Sequence, residues 1–236
     1  MEALLEPLRE LAEIEEIQNE KKKEAGLIQI TGCVGSQKTH LTCALGSDCK
    51  YKLIVTSGES KAKQMYEEYR FLKETVYLYP AKDLLFYHAD LRGKQLVSSR
   101  METIQALLLG EGCTVITTFD AFMDSLLPIE TIRERIFSLK VGDIIDFEKV
   151  QKDLALLGYE REVQIEGPGQ FAVRGGILDV YPLTEEVPVR IELWDDEIDS
   201  IRTFDVESQR SIENLEEITI YPASEFMDEK TKRVSF

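Results

Sequence analysis

The sequence predicts an α/β chain: a mainly parallel sheet domain carrying an inserted, mainly antiparallel α+β domain. Three observations predict it. From Leu27 to Thr117, short apolar runs of strand length alternate with stretches whose apolar residues recur every three or four positions. A glycine-bounded loop ending in Lys38-Thr39 joins the first of these runs to the helix after it. After about Pro128 the alternation gives way to successive two-periodic runs separated by turn signals.

The elements follow in order. Leu4, Leu8, Leu11, Ile14 and Ile17 lie three and four apart, which predicts one amphipathic helix ending near Gly26 and packing on the next unit. Leu27 to Thr31 reads as a strand, the glycine loop and its helix follow, and Lys52 to Thr56 reads as a second strand. Met65, Tyr66, Tyr69 and Leu72 mark a helix, and Val76 to Tyr79 a strand. After Pro80, a long helix carries Val97, Met101, Ile104 and Leu108 on one stripe, and the strand Thr114 to Thr117 follows. Strands joined through helices in this way imply a parallel, doubly wound sheet.

In the second part, Phe137, Leu139 and Val141 alternate as a strand, and Phe147, Val150, Leu154 and Leu157 form a helix stopped by Gly158. The next strands are punctuated at Gly167-Pro168-Gly169 and Asp195-Asp196. The run Ile218 to Tyr221 is expected to return to the first sheet. The predicted organisation is therefore residues 1–127, an inserted domain at 128–214, and a return segment at 215–236.

The loop GCVGSQKT, Gly32 to Thr39, is nearly the phosphate-binding pattern GxxxxGK[ST]. Gly32, Lys38 and Thr39 are in register and Gly35 lies between them, but Gln37 stands where the second glycine belongs. That glycine permits close backbone approach to phosphate, with a torsion that a residue bearing a Cβ adopts only at a cost. We read a RecA-like, P-loop NTPase-type domain whose nucleotide site has decayed. Magnesium and water positioning require a carboxylate after an apolar strand, and VITTFDAF offers only Asp120. Autonomous hydrolysis is not expected.

Composition limits the other classes. With 236 residues, 43% of them hydrophobic and no long apolar run, the chain is expected to be soluble, without a signal peptide or membrane span. Cys33, Cys43, Cys49 and Cys113 form no CxxC pair, which argues against a zinc site or a disulfide framework and favours a cytoplasmic setting. There are 44 acidic and 28 basic residues, so the net charge of −16 repels a nucleic-acid backbone. Lys21, Lys22 and Lys23 close an acidic helix, where cations favour its dipole. Neither His40 nor His88 has a nucleophile partner in a recognisable motif. The pairs Glu185-Glu186, Asp195-Asp196 and Glu216-Glu217 read as solvated surface.

The run Val189 to Trp194 alternates cleanly, with Val189, Ile191 and Leu193 on one face and Arg190, Glu192 and Trp194 on the other. Tryptophan beside arginine on a polar face is the composition of a protein-interface hot spot. Arg174, before Gly175-Gly176, lies in a comparable place. The residues also allow a second reading, in which Trp194 covers a helix of its own domain and the arginines pair with Asp179 or Glu192. Asp179, inside the apolar run Ile177 to Tyr181, needs a partner if buried, and Arg174 or another strand arginine would serve.

The segment from Gly169 to Phe226, GQFAVRGGILDVYPLTEEVPVRIELWDDEIDS and onward, closely resembles the amino-terminal module of the bacterial transcription-repair coupling factor family, Mfd. PAKDLLFYHADLRGKQLVSSRMETIQALL, VITTFDAFMD and the degenerate GCVGSQKT resemble the same family, so the likeness covers almost the whole chain. The resemblance implies a UvrB-homology region, in which a decayed RecA-like domain flanks an inserted domain that binds the repair protein UvrA. It implies UvrA contacts at Arg174, Arg190 and Trp194, the last departing from a phenylalanine found in family members. It also implies that RNA polymerase, double-stranded DNA, ATP and magnesium are bound only by further domains of a longer protein, leaving this fragment without a cofactor. UvrB itself would require an intact phosphate loop and a tyrosine-rich hairpin, whereas Pro80 to Arg100 holds only Tyr87. An active NTPase or helicase fragment is the other alternative.

Overall fold

A computed structural model describes residues 2–10, 12–21, 27–72, 75–82 and 91–225. Leu11, Lys22, Lys23, Gly26, Tyr87 and His88 lie outside the described residues. The chain folds as two compact units, Met1–Leu84 with Leu109–Asp124, and Leu85–Leu108 with Ser125–Phe236.

The first unit opens with two helices, α1 (Glu2–Arg9) and α2 (Ala12–Lys21), in place of the single helix expected. Pro7, inside α1, has no N–H for the helical ladder, and Glu10 is already a turn residue. Of the predicted stripe, Ile14 is buried and Leu8 and Ile17 are half-buried, and Leu5, which the stripe did not include, is buried as well. Lys21 at the end of α2 pairs with Asp48 at 2.5 Å and donates to the Leu45 carbonyl at 2.6 Å. It therefore neutralises the carbonyl end of the next helix, α3 (Gln37–Leu45).

The expected strand Leu27 to Thr31 is not formed. Leu27 is fully exposed, Ile28 and Ile30 are exposed too, and the parallel sheet closes without them. Apolar composition alone does not make a strand, because the backbone must also find a hydrogen-bonding neighbour. That sheet comprises β1 (Tyr51–Thr56), β2 (Val76–Tyr79) and β3 (Cys113–Thr118), in the order β1-β3-β2. Both pairings are parallel, as the strand-helix alternation predicts, and every residue of the central β3 is buried. Helix α4 (Glu59–Leu72) connects β1 to β2 and presents Ala62, Tyr69 and Leu72 to a core containing Ile116, Val76, Cys43 and Leu5. Burial pushes the Tyr69 phenol up to about 12, and its hydroxyl donates to Thr42 Oγ1 at 2.9 Å, tying α4 to α3.

Helix α5 (Leu91–Leu109), between β2 and β3 in the chain, belongs to the second unit as far as Leu108. The short helix α6 (Phe119–Phe122), capped by the Thr118 hydroxyl, ends the first unit's part of the chain. The second unit continues through α7 (Ile129–Arg133), β4 (Phe137–Lys140) and α8 (Phe147–Leu156). Asp146 caps α8 by accepting from Lys149 N–H at 3.0 Å. Gly158 follows the helix at φ 91°, where a Cβ would stand 2.5 Å from Ser224 Cβ. Glycine is therefore required both by conformation and by close approach.

A six-stranded sheet follows: β5 (Glu160–Glu162), β6 (Gln170–Arg174), β7 (Ile177–Tyr181), β8 (Val189–Trp194), β9 (Glu197–Phe204) and β10 (Ser211–Leu215). Its order is β10-β9-β8-β7-β6-β5, antiparallel except for the parallel β5–β6 pair. Leu178, Val180, Ile191, Ile198 and Ile201 are buried.

The last strand, β11 (Glu217–Ile220), does not return to the parallel sheet. It pairs antiparallel with β4, placing Ile218 opposite Leu139 and Ile220 opposite Phe137. Ile218, Ile220 and Leu139 are buried, so a neighbouring strand of its own unit satisfies β11. Arg100 on α5 and Glu225 beyond β11 form a buried bidentate ion pair in the same unit. The architecture is mixed α/β, with a parallel sheet in one unit and mainly antiparallel sheets in the other.

Candidate functional site

Two places carry the residues singled out from the sequence. In the loop Gly32 to Thr39, Gly32 and Gly35 have positive φ, 85° and 54°. The cost expected of Gln37 is not backbone strain. Gln37 is the first residue of α3, and among the described non-glycine residues only Asp195 and Gln209 have positive φ. Its side chain instead turns back into the loop, where Oε1 accepts the Val34 N–H at 3.0 Å. An amide that a phosphate loop could offer to an anion is thus satisfied internally.

Thr39 is buried and its hydroxyl donates to Glu68, whose other oxygen accepts from Gln64 Nε2 at 2.9 Å. The hydroxyl that would help hold magnesium is engaged by a carboxylate of α4. A cleft of about 860 Å³ lies beside the loop, lined by Lys38, Lys61, Thr39 and Glu68 among others. Glu68 sets a negative charge against any phosphate in it. Asp120 is exposed at the start of α6 and does not line this cleft.

The second place is one face of the six-stranded sheet. Directly opposed residues in an antiparallel pair project to the same side, so the register defines rows. One row runs Ala172, Asp179, Arg190, Arg202, Asn214 across β6 to β10. The next runs Arg174, Ile177, Glu192, Ser200. A third begins with Trp194 opposite Glu197, after a register shift beyond Glu192. Arg174, Arg190 and Trp194 therefore share a face; the alternation of β8 predicts this for Arg190 and Trp194, and the register of β6 and β7 adds Arg174.

Asp179, 1% exposed, organises that face. Arg190 reaches it through Nε at 2.7 Å and Nη2 at 2.9 Å, and Arg174 through Nη2 at 2.9 Å. One buried carboxylate holds two guanidiniums, leaving a net positive charge at the surface. Hydrogen bonding to Asp179 raises the Arg190 pKa further above the ordinary guanidinium range. Arg190 also donates to Gln209 Oε1 at 2.8 Å and lies 4.3 Å from the centre of the Phe204 ring.

The two arginines are consequently not equivalent. Arg190 is 15% exposed and surrounded by its partners, whereas Arg174 is 48% exposed and keeps donors free to face outward. Trp194 is 81% exposed and does not cover a helix of its own unit. Glu192, the other partner considered for the arginines, pairs instead with Arg202. Phe204, Gln209 and the Glu192–Arg202 pair were not identifiable as parts of the site from sequence. Phe204 and Gln209 enter through the end of β9 and the turn after it, which no local periodicity links to Asp179.

Among the described residues no helix is long and apolar enough to cross a membrane, and no group of three or more His, Cys, Asp or Glu side chains is placed to hold a metal ion. The four cysteines are free.

Residues 137–226, which contain the whole of this sheet, match the UvrB interaction domain family. The chain is 35% identical over 201 residues to the transcription-repair-coupling factor of Bacillus subtilis, covering 84% of this chain and 17% of that protein. It is 36% identical over 203 residues to the Staphylococcus epidermidis factor, covering 85% of this chain and 17% of that one. The Staphylococcus aureus factor is 40% identical over 154 residues, 65% of this chain and 13% of that protein. The chain thus spans about a sixth of the length of the first two relatives. It is a homologue of the bacterial transcription-repair-coupling factors, and its residues 137–226 belong to the UvrB interaction domain family.

Proposed function

We propose that this chain is a UvrA-recruiting adaptor of transcription-coupled nucleotide excision repair, acting through the sheet face that carries Arg174 and Trp194. The observation that carries the reading is the pairing of a half-exposed arginine, fixed from below by buried Asp179, with an exposed tryptophan on the same face. An anchored guanidinium retains direction for a carboxylate or an aromatic ring, and an exposed indole supplies apolar area at small entropic cost. The face lies within residues matching a UvrB interaction domain, which supports UvrA as the partner.

The first unit is, in this reading, a degenerate RecA-like domain without ATPase activity or a bound cofactor. Its parallel strands and its internally satisfied loop support this. RNA polymerase displacement and translocation on double-stranded DNA, with ATP and magnesium, belong to the full-length protein in the cytoplasm.

Surface plasmon resonance of the chain against UvrA tests the adaptor reading. Wild type should bind saturably, and Arg174→Ala and Trp194→Ala should each weaken binding at least about tenfold while leaving circular dichroism unchanged. Arg190→Ala is the poorer probe, because it also leaves buried Asp179 short of two hydrogen bonds. Absence of wild-type binding would overturn the proposal.

A further inference from the structure

The row that begins with Trp194 and Glu197 does not end at β9. Residues 141–145, between β4 and α8, lie along the free side of β9 where β10 does not reach. Gly142 N–H donates to the Ile198 carbonyl at 2.8 Å, Ile198 N–H to Asp143 at 2.9 Å, and Ile145 N–H to Asp196 at 2.9 Å. The last two bonds frame an antiparallel bridge between Ile144 and Glu197. Such a pair, lying between its hydrogen bonds, brings the two Cα atoms to about 4.5 Å and sends both side chains to one side.

Glu197 is thus flanked by Trp194 on β8 and by Ile144 on the neighbouring loop, all on the face that carries Arg174. All three are exposed, Trp194 at 81% and Ile144 at 75%. Both apolar side chains stand on paired backbone. Asp143 braces the Ile144 loop by accepting the Lys140 N–H at 3.1 Å, and the turn after Trp194 takes Asp195 to φ 61°. A β-branched side chain held on a paired backbone and left in water is preorganised to be covered, because little entropy remains to be lost when it is.

We infer that the partner-binding surface continues across β9, and that Ile144 is a second apolar anchor, with Glu197 between it and Trp194. The inference rests on the UvrA reading above and extends it to the chemistry of the partner. The complementary surface on UvrA presents an acidic group toward Arg174, an apolar patch spanning Trp194 and Ile144, and a basic group toward Glu197. Its occupant is that partner because the strip is continuous with the Arg174–Trp194 surface along hydrogen-bonded rows of one sheet. Exposed Val163, beside β5 at the opposite edge, shares no row with it.

The test is UvrA binding by the full chain carrying Ile144→Ser, Ile144→Thr, Glu197→Lys, Trp194→Ala or Val163→Ser, with thermal melting of each. Ile144→Ser should weaken binding about tenfold and Ile144→Thr, which keeps the β-branch, somewhat less, both without a shift in melting. Glu197→Lys should weaken binding through like-charge contact, and more strongly at low salt, whereas Val163→Ser should match wild type. If both Ile144 variants bind as wild type while Trp194→Ala does not, the surface stops at β8; the inference fails and the adaptor reading stands. If wild type does not bind UvrA, both fail.

Discussion

Asp179 sets the division of labour between the two arginines. It is buried and accepts two hydrogen bonds from Arg190 as well as one from Arg174. Removing one partner of a buried, hydrogen-bonded charge pair costs about 3–5 kcal/mol, whereas an exposed pair contributes about 1 kcal/mol or less. Arg190→Ala should therefore unfold at markedly lower urea than wild type, and Asp179→Asn should be destabilised in the same direction. Arg174→Ala should unfold close to wild type and lose only partner affinity. Equal loss of stability in Arg174→Ala and Arg190→Ala, measured by urea titration, would contradict this assignment. Asp179 was legible in the sequence because a carboxylate inside ILDVY must find a cation, and the alternation of β8 offered Arg190. Sequence alone did not rank the two arginines, since burial by Phe204 and the turn 205–210 decides that ranking.

At the scale of elements, periodicity found the helices α4, α5 and α8 and several of the strands, but it did not find α6 and α7, the break between α1 and α2, or the strands' neighbours. The alternation of Ile218 and Ile220 required a buried face without specifying β4 rather than the parallel sheet. Leu27 to Thr31 had the composition of a strand, yet those residues lie outside the sheet and leave apolar side chains exposed. The strand-loop-helix reading around GCVGSQKT was right about α3 and wrong about the strand before it, and the sequence did not show the form the loop takes. The loop is filled from within: Gln37 takes the Val34 amide and Glu68 takes the Thr39 hydroxyl. Isothermal titration of the chain with Mg-ATP up to about millimolar is expected to show no saturable heat, because both groups must be released, and Glu68 moved, before phosphate can enter. Saturable binding would return Lys38 and the adjoining cleft to the nucleotide-binding class.

For the whole molecule, charge separates recruitment of a protein from direct engagement of DNA. A net charge of −16 opposes a polyanion over distances comparable with the Debye length, about 8 Å at physiological ionic strength. The cations at the candidate interface are few and already partnered: Arg190 by Asp179, Arg202 by Glu192, and Arg174 in part by Asp179. That leaves one directed guanidinium beside two apolar anchors, an arrangement suited to a protein surface and too sparse to follow a phosphate backbone. Fluorescence anisotropy with a labelled duplex should accordingly show no binding at about 0.15 M salt, and little gain when salt is lowered, since log K rises on dilution only when phosphates are neutralised. Lys38→Ala and Lys61→Ala, which remove the two cationic side chains at the cleft, should leave that null result unchanged. Tight duplex binding with a steep salt slope would require a basic groove, and would favour direct contact with the nucleic acid over the proposed recruitment of a repair protein.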